Sequence, residues 1–281
     1  MSKTVNKYMK DLKLEAAGSM AELKKKVAFA ADRTTAARLV RIMEGEHSVD
    51  ADEAIYEIMN TSPRIAQALV GAFDGDYLKK LFTLIEAHRD TFGEEILDAG
   101  CNNGIITCFI AKTYPDSQVT GIDINPQAID IAQQIADRLK LENVVFRVQA
   151  LGDVEEQYDT LFLSKVSHEK VNSATIGSAT AIEWSSDKDK MADQFQKMLA
   201  GFAGQAANTI KTGGSLWTID RIPYDFGVTG YYRALEEAGI QPGTPSSGLA
   251  GAITYRSLGK KESLPFMIGR KAVKLDCLFR C

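Results

Sequence analysis

The chain has 281 residues, 45% of them hydrophobic and 25% charged, an ordinary globular composition with length enough to bury a sizeable core. Its formal net charge is −4, with 14 Lys+Arg against 14 Asp+Glu in residues 1–90 and 19 against 23 in the rest. Neither part carries the basic excess of a nucleic-acid footprint, so charge argues against nucleic acid as a partner.

Met1 to Lys7 shows no apolar signal core, and no segment reaches the ~20 apolar residues that span a bilayer. The expectation is a cytoplasmic protein with no membrane association. Met20 to Met43 carries Leu23, Val27, Ala30/Ala31, Leu39 and Ile42/Met43 at roughly helical spacing and reads as helical. Asp50 or Asp52 can cap a short helix through Ile58, and Ser62-Pro63 starts another. A last helix is expected over Asp76 to His88, with a broad apolar face of Tyr77, Leu78, Leu81, Phe82 and Ile85. No alternating strand pattern precedes residue 94, so residues 1–90 read as an α-helical unit. That apolar face needs a cover, either the rest of the chain or a second copy in a homodimer.

From residue 94 strands and helices alternate. Strands are expected at 94–98, 118–123, 144–149, 158–164, 215–221, 251–258 and 265–273. Helices are expected at 104–114, 125–140, 187–211 and 231–238. Thr212-Gly213-Gly214 reads as the stop of the third. The order implies helices on both faces of a mainly parallel sheet, with the ligand crevice outside the carboxyl ends of its strands.

Two motifs carry the chemistry. Glu95-Ile96-Leu97-Asp98-Ala99-Gly100-Cys101-Asn102-Asn103-Gly104 is an apolar run ending in an acid and a glycine-punctuated turn. Gly121-Ile122-Asp123-Ile124-Asn125 is a second apolar run ending in an acid. The nicotinamide and flavin fingerprint G-x-G-x-x-G would need glycine at Gly100, Asn102 and Ile105 and fails at two of the three. Asp98-x-Gly100-x-Asn102-x-Gly104 resembles instead the first motif of the class I S-adenosylmethionine (SAM) dependent methyltransferases. It departs only at Asn102, a residue type that tolerates positive φ. The resemblance covers about residues 93–222 and implies a Rossmann-like, seven-stranded, mainly parallel sheet over residues 91–281, with residues 1–90 as a helical lid or accessory domain.

It also implies roles. Gly100, Cys101, Asn102 and Gly104 would bring backbone against the methionine end of SAM, and Asp98 would hold its amino group. Asp123 would accept the two ribose hydroxyls, and Ile124 would pack on adenine. Where relatives carry an acid near the adenine amino group this chain has Ala150, which leaves backbone at Ala150-Leu151, or Asp153, to read the base. Ser164-Lys165-Val166-Ser167-His168 follows the fourth strand. It lacks the Asn/Asp-Pro-Pro-Tyr/Phe signature of many amino-group methylating enzymes on nucleic acid or glutamine. Ser164 is assigned to the cofactor side and His168 to removal of a substrate proton, with Glu169 and Glu183 as weaker candidates. Trp184, Tyr224, Tyr231 and Tyr232 could line an acceptor pocket or simply pack.

Four cysteines (Cys101, Cys108, Cys277, Cys281) without CxxC spacing and three histidines give no metal site. The expected function is methyl transfer from SAM to a small molecule at oxygen. The alternatives are a protein or, less favoured, an RNA acceptor, and a non-catalytic SAM-binding protein.

Overall fold

The computed structural model describes residues 2–45, 49–168, 185–222 and 224–273, with side chains from 44 to 53 excepted. Glu169, Glu183, Trp184, Cys277 and Cys281 lie outside what is described, and Asp50 and Asp52, expected as caps, lie inside a helix that starts at Val49.

Five helices open the chain: α1 (Lys3–Asp11), α2 (Met20–Ala30), α3 (Arg33–Gly45), α4 (Val49–Met59) and α5 (Pro63–Ala87). Side-chain oxygens of Ser2, Ser19 and Ser62 accept the orphan N–H groups of Val5, Glu22 and Ile65 at the starts of α1, α2 and α5. The helical stretch Met20–Met43 is two helices. Ala31 is extended (ψ 162°), and Asp32 Oδ1 accepts N–H from Thr34 and Thr35 at 2.9 and 3.0 Å, which starts α3 afresh. Conversely, the short helix expected over Asp76–His88 is the second half of the 25-residue α5. Gly71 and Gly75, poor helix formers, sit inside α5 because residues 14–17 cross it there. A Cβ on Gly75 would lie 2.6 Å from the Ala16 backbone N, and Ala17 N–H donates to Ala72 O at 3.0 Å.

The sheet contains β1 (Glu95–Ala99), β2 (Gln118–Asp123), β3 (Val144–Val148), β4 (Tyr158–Ser164), β5 (Ile210–Ile219), β6 (Ile240–Gln241), β7 (Ala250–Ser257) and β8 (Lys260–Lys271). The strand order is β3-β2-β1-β4-β5-β8-β6, with β7 also paired to β8. Strands β1 to β5 are parallel, and β8 runs antiparallel to β5, as the expected family sheet requires. The two-residue β6 adds an eighth strand. Strand β5 begins earlier than expected: pairing with β4 jumps from Tyr158↔Ile210 to Thr160↔Ser215. Gly213 (φ +81°) therefore belongs to an irregularity within β5, and the preceding helix ends at Thr209.

Side-chain alternation along the strands divides the core. Ile96, Val119, Phe162 and Trp217 face α5, α6 (Ile105–Thr113) and α7 (Pro126–Leu139). Leu97, Ile122, Leu161, Leu163 and Leu216 face α8 (Lys188–Thr209) and α9 (Asp225–Glu237). The N-terminal helices join the first of these cores. Tyr8 of α1 packs edge-on against Phe82 and Phe109, and its hydroxyl donates to Ile105 O at 2.7 Å at the start of α6. Leu78, Leu81, Phe82 and Ile85 are buried by the chain itself, so that face offers no surface for a homodimer.

Because Gly75 is bounded by backbone, Gly75→Ala should destabilise by about 1–3 kcal/mol, the usual range for overpacking. The same change in an unobstructed helix interior would stabilise by roughly 1 kcal/mol. Urea unfolding monitored by circular dichroism reads the sign.

Candidate active site

The carboxyl ends of β1, β2, β4 and β5 bring most of the expected residues to one edge. Asp98 is buried on the α6 face and accepts a hydrogen bond from Thr107 Oγ1 at 2.6 Å. Burial pushes its carboxyl up to about 7, opposed by the Thr107 bond and helped by the Asp123 charge. Gly100 (φ +74°), Asn102 (φ +46°) and Gly104 (φ +69°) make the turn left-handed at three of five residues. A Cβ on Gly100 would meet Val166 Cγ2 at 2.6 Å, so this turn and the loop after β4 touch. Cys101 is buried, and its Sγ lies over Gly121, where a Cβ would come within 3.1 Å of it.

Asp123, half-buried at the end of β2, joins the two motifs. Its Oδ2 accepts Asn102 N–H at 2.8 Å and its Oδ1 accepts Asn125 N–H at 2.9 Å. Each oxygen retains a lone pair for a further donor. Ile124 beside it is 73% exposed, and Val148, which pairs with Asp123 across β2–β3, is 56% exposed. Ala150 and Leu151 follow β3 half-buried, while Asp153 is exposed.

The fourth strand supplies the other half of the site. Ser164 Oγ is 2.8 Å from the Tyr77 hydroxyl, so it faces α5. Lys165 (φ +60°) places Nζ 2.7 Å from Asp74 Oδ1 and 4.4 Å from the centre of the Tyr77 ring. His168 Nδ1 lies 2.7 Å from Oδ1 of Asp220, a buried acid one residue past β5. Asp220 also accepts from the backbone N–H groups of Val166, Ser167 and Arg221, at 3.0, 2.5 and 2.7 Å, and from the Ser167 hydroxyl. Burial alone would raise the Asp220 carboxyl. The bonds from His168, Ser167 and Arg221 outweigh it and hold the group below the ordinary carboxylate range. With Asp220 ionised, His168 Nδ1 carries the hydrogen and Nε2 is left as the basic nitrogen.

Asp220 was missed in the sequence, although its signal was there. Leu216-Trp217-Thr218-Ile219-Asp220 is a third apolar strand ending in an acid, like those ending in Asp98 and Asp123. Tyr231 is buried against β5 beneath that edge, its hydroxyl 3.3 Å from Thr218 Oγ1 and bonded to the Ser167 side chain. Tyr232 is half-buried against the α8–α9 core. Tyr224 is 56% exposed and stacks on Phe226, ring centres 4.9 Å apart.

Residues 90–216 match the model of a methyltransferase domain. That match, just under half of the chain, marks these residues as a methyltransferase domain. Among curated relatives, ribosomal RNA small subunit methyltransferase C of Psychromonas ingrahamii is 30% identical over 131 residues, 46% of this chain and 37% of the relative. The enzyme of the same name from Shewanella pealeana is 24% identical over 146 residues, 52% of this chain and 37% of the relative. The chain therefore spans well under half the length of these relatives. A solved structure, magnesium protoporphyrin IX methyltransferase of Synechocystis PCC 6803 with S-adenosylhomocysteine, is 15% identical with TM-score 0.48; the match covers 89% of this chain and 100% of that one.

These relatives overturn the expected small-molecule acceptor, and with it the reading that nucleic acid is disfavoured. That reading took charge as an average over long segments and counted the missing Pro-Pro signature toward a small-molecule acceptor. The residues of the first two motifs do fit the cofactor. Asp123 has acceptor capacity, Ile124 and Val148 present an apolar surface beside it, and Asn102 Oδ1 is buried with no protein partner. No described helix is long and apolar enough to cross a membrane.

The raised Asp98 carboxyl has a signed consequence. Between the ordinary 3.8 and about 7 the folded protein keeps a proton that the unfolded chain has released. Stability therefore falls as pH rises through that window and levels off above it. Denaturant titrations without cofactor should show a smaller fall between pH 4 and 8 in Asp98→Asn than in the wild type.

Proposed function

We propose that this chain transfers a methyl group from SAM to RNA, in the cytoplasm, with ribosomal RNA the favoured acceptor. The observation that carries the reading is the 30% identity over 131 residues to a ribosomal RNA methyltransferase, a span longer than the two cofactor motifs. When bound, SAM supplies a sulfonium-activated methyl group. The chain's own residues have separable tasks. Asp123 accepts the ribose hydroxyls, and Asp98 with the Gly100-Cys101-Asn102 backbone and Gly104 holds the amino-acid end. Ile124 packs on adenine, whose edge meets backbone at Ala150 and Leu151. Ser164 anchors Tyr77, and so α5, over the end of β4, making residues 1–90 a lid on the acceptor side.

His168 takes the acceptor's proton on Nε2. Asp220 fixes its tautomer and stabilises the imidazolium that results. The remaining contribution is alignment, because a methyl transfer needs its nucleophile held in line.

Incubation with methyl-labelled SAM and in vitro transcribed small-subunit ribosomal RNA should label the RNA. Label in no RNA, together with label in protein or small-molecule fractions, would refute the reading. Asp123→Ala should weaken SAM binding by about 1.5–3 kcal/mol, the range for hydrogen bonds to a charged group, as read by calorimetry. His168→Ala should lower turnover by roughly 10²–10⁴-fold with SAM affinity almost unchanged. Asp220→Asn should lower turnover too, and should shift the acid limb of the pH–rate profile, which loss of packing alone would leave in place. Wild-type turnover in His168→Ala would remove the imidazole from the mechanism.

A further inference from the structure

The antiparallel register of β8 places a basic ribbon beside the active edge. Ile219, the last residue of β5, pairs with Phe266, yet β8 begins at Lys260. Six residues therefore continue past the carboxyl end of β5, about 20 Å at the rise of a β-strand. Strand β7 follows them to the turn, from Ala250↔Met267 to Ser257↔Lys260. This hairpin starts at the site itself, since Asp220 N–H donates to Pro265 O at 3.2 Å.

The two faces of the ribbon differ. Ile253, Tyr255 and Leu264 are buried toward α5, and Glu262 on that side accepts the Tyr255 hydroxyl at 3.0 Å. Asp76 is spent at the strand edge, where its Oδ2 accepts Arg256 N–H at 2.8 Å and Lys80 Nζ at 3.0 Å. The opposite face carries the cross-strand pairs Ala252↔Pro265, Thr254↔Ser263 and Arg256↔Lys261. From Asp220 outward it therefore presents two hydroxyls and then two cations, all on exposed residues. Residues 250–265 hold three Lys or Arg against one acid, in a chain whose net charge is −4.

Arg256 directly opposite Lys261 is a like-charge pair, which is unfavourable in a sheet, and Arg256 Nη1 donates to Gly259 O at 3.1 Å, which holds its guanidinium at the turn. Cations and hydroxyls in one row are the groups that hold phosphate oxygens. We propose that this hairpin face binds the phosphate backbone of the RNA acceptor and positions it at the edge carrying Asp220 and His168. The proposal rests on the RNA reading above and adds the surface that takes the substrate.

The test compares wild type with the Arg256→Gln/Lys261→Gln double variant on in vitro transcribed small-subunit ribosomal RNA. Binding is measured over a series of salt concentrations, and SAM affinity by calorimetry. The variant should bind RNA roughly tenfold more weakly, with a salt slope shallower by roughly 0.7–0.9 for each phosphate left without its cation. SAM affinity should be unchanged, and the melting temperature equal or higher, because a repulsive pair has been removed. A misfolded variant would fail both controls, and Arg256→Lys should then retain wild-type RNA binding and slope if the charge is what matters. RNA binding and slope equal to wild type in the double variant, or lost in Arg256→Lys with SAM affinity intact, would overturn the hairpin proposal alone. A wild-type protein that neither binds nor methylates RNA would overturn the RNA reading and the hairpin proposal together.

Discussion

Three carboxylates at the carboxyl ends of parallel strands shape the active edge, and each is held by donors from the loops around it. Asp98 takes the Thr107 hydroxyl, Asp123 takes the N–H groups of Asn102 and Asn125, and Asp220 takes those of Val166, Ser167 and Arg221. A buried or half-buried carboxylate without donors would be costly, so the loops are drawn to them. The left-handed turn after β1 follows from this: Asn102 must turn its N–H to Asp123, and it does so at positive φ. The loop after β4 folds back on Asp220 for the same reason, carrying His168 with it.

The three acids have different environments and hence different capacities. Asp98 has one neutral hydroxyl partner and full burial, which raises it. Asp220 is equally enclosed but has four donor residues around it, which lowers it. A cation arriving beside Asp98 would favour its ionised form, whereas the charge at Asp220 is already fixed by its donors. Around this edge the fold adds walls. Helix α5 ties to it through Tyr77–Ser164 and Asp74–Lys165, and the same helix backs the β7–β8 ribbon through Asp76 and Lys80.

Much of this was legible in the chain. The strand periodicity, the acids ending β1 and β2, the glycine turn and the cap at Ser62-Pro63 are local signals, and the structure contains each of them. The misplaced boundaries have local causes that periodicity does not register. Asp32 restarts a helix inside an apolar pattern, and Gly213-Gly214, read as a helix stop, lies within a strand. Gly71 and Gly75 look like helix breakers, yet they mark a crossing by residues 14–17, distant in sequence.

What the sequence by itself determined is the cofactor half: α/β class, strand order by resemblance, and the first two motifs, because those residues act within one strand–turn–helix–strand unit. The contacts across the edge were decided by tertiary structure. His168 meets Asp220 across 52 residues, Tyr77 meets Ser164 across 87, and Lys80 bonds Thr254 across 174. Charge follows the same rule. A net of −4 is a sum over the chain, whereas the field at a surface depends on which side chains share a face, and the pairing of β7 with β8 puts Arg256 and Lys261 on one side and Glu262 on the other.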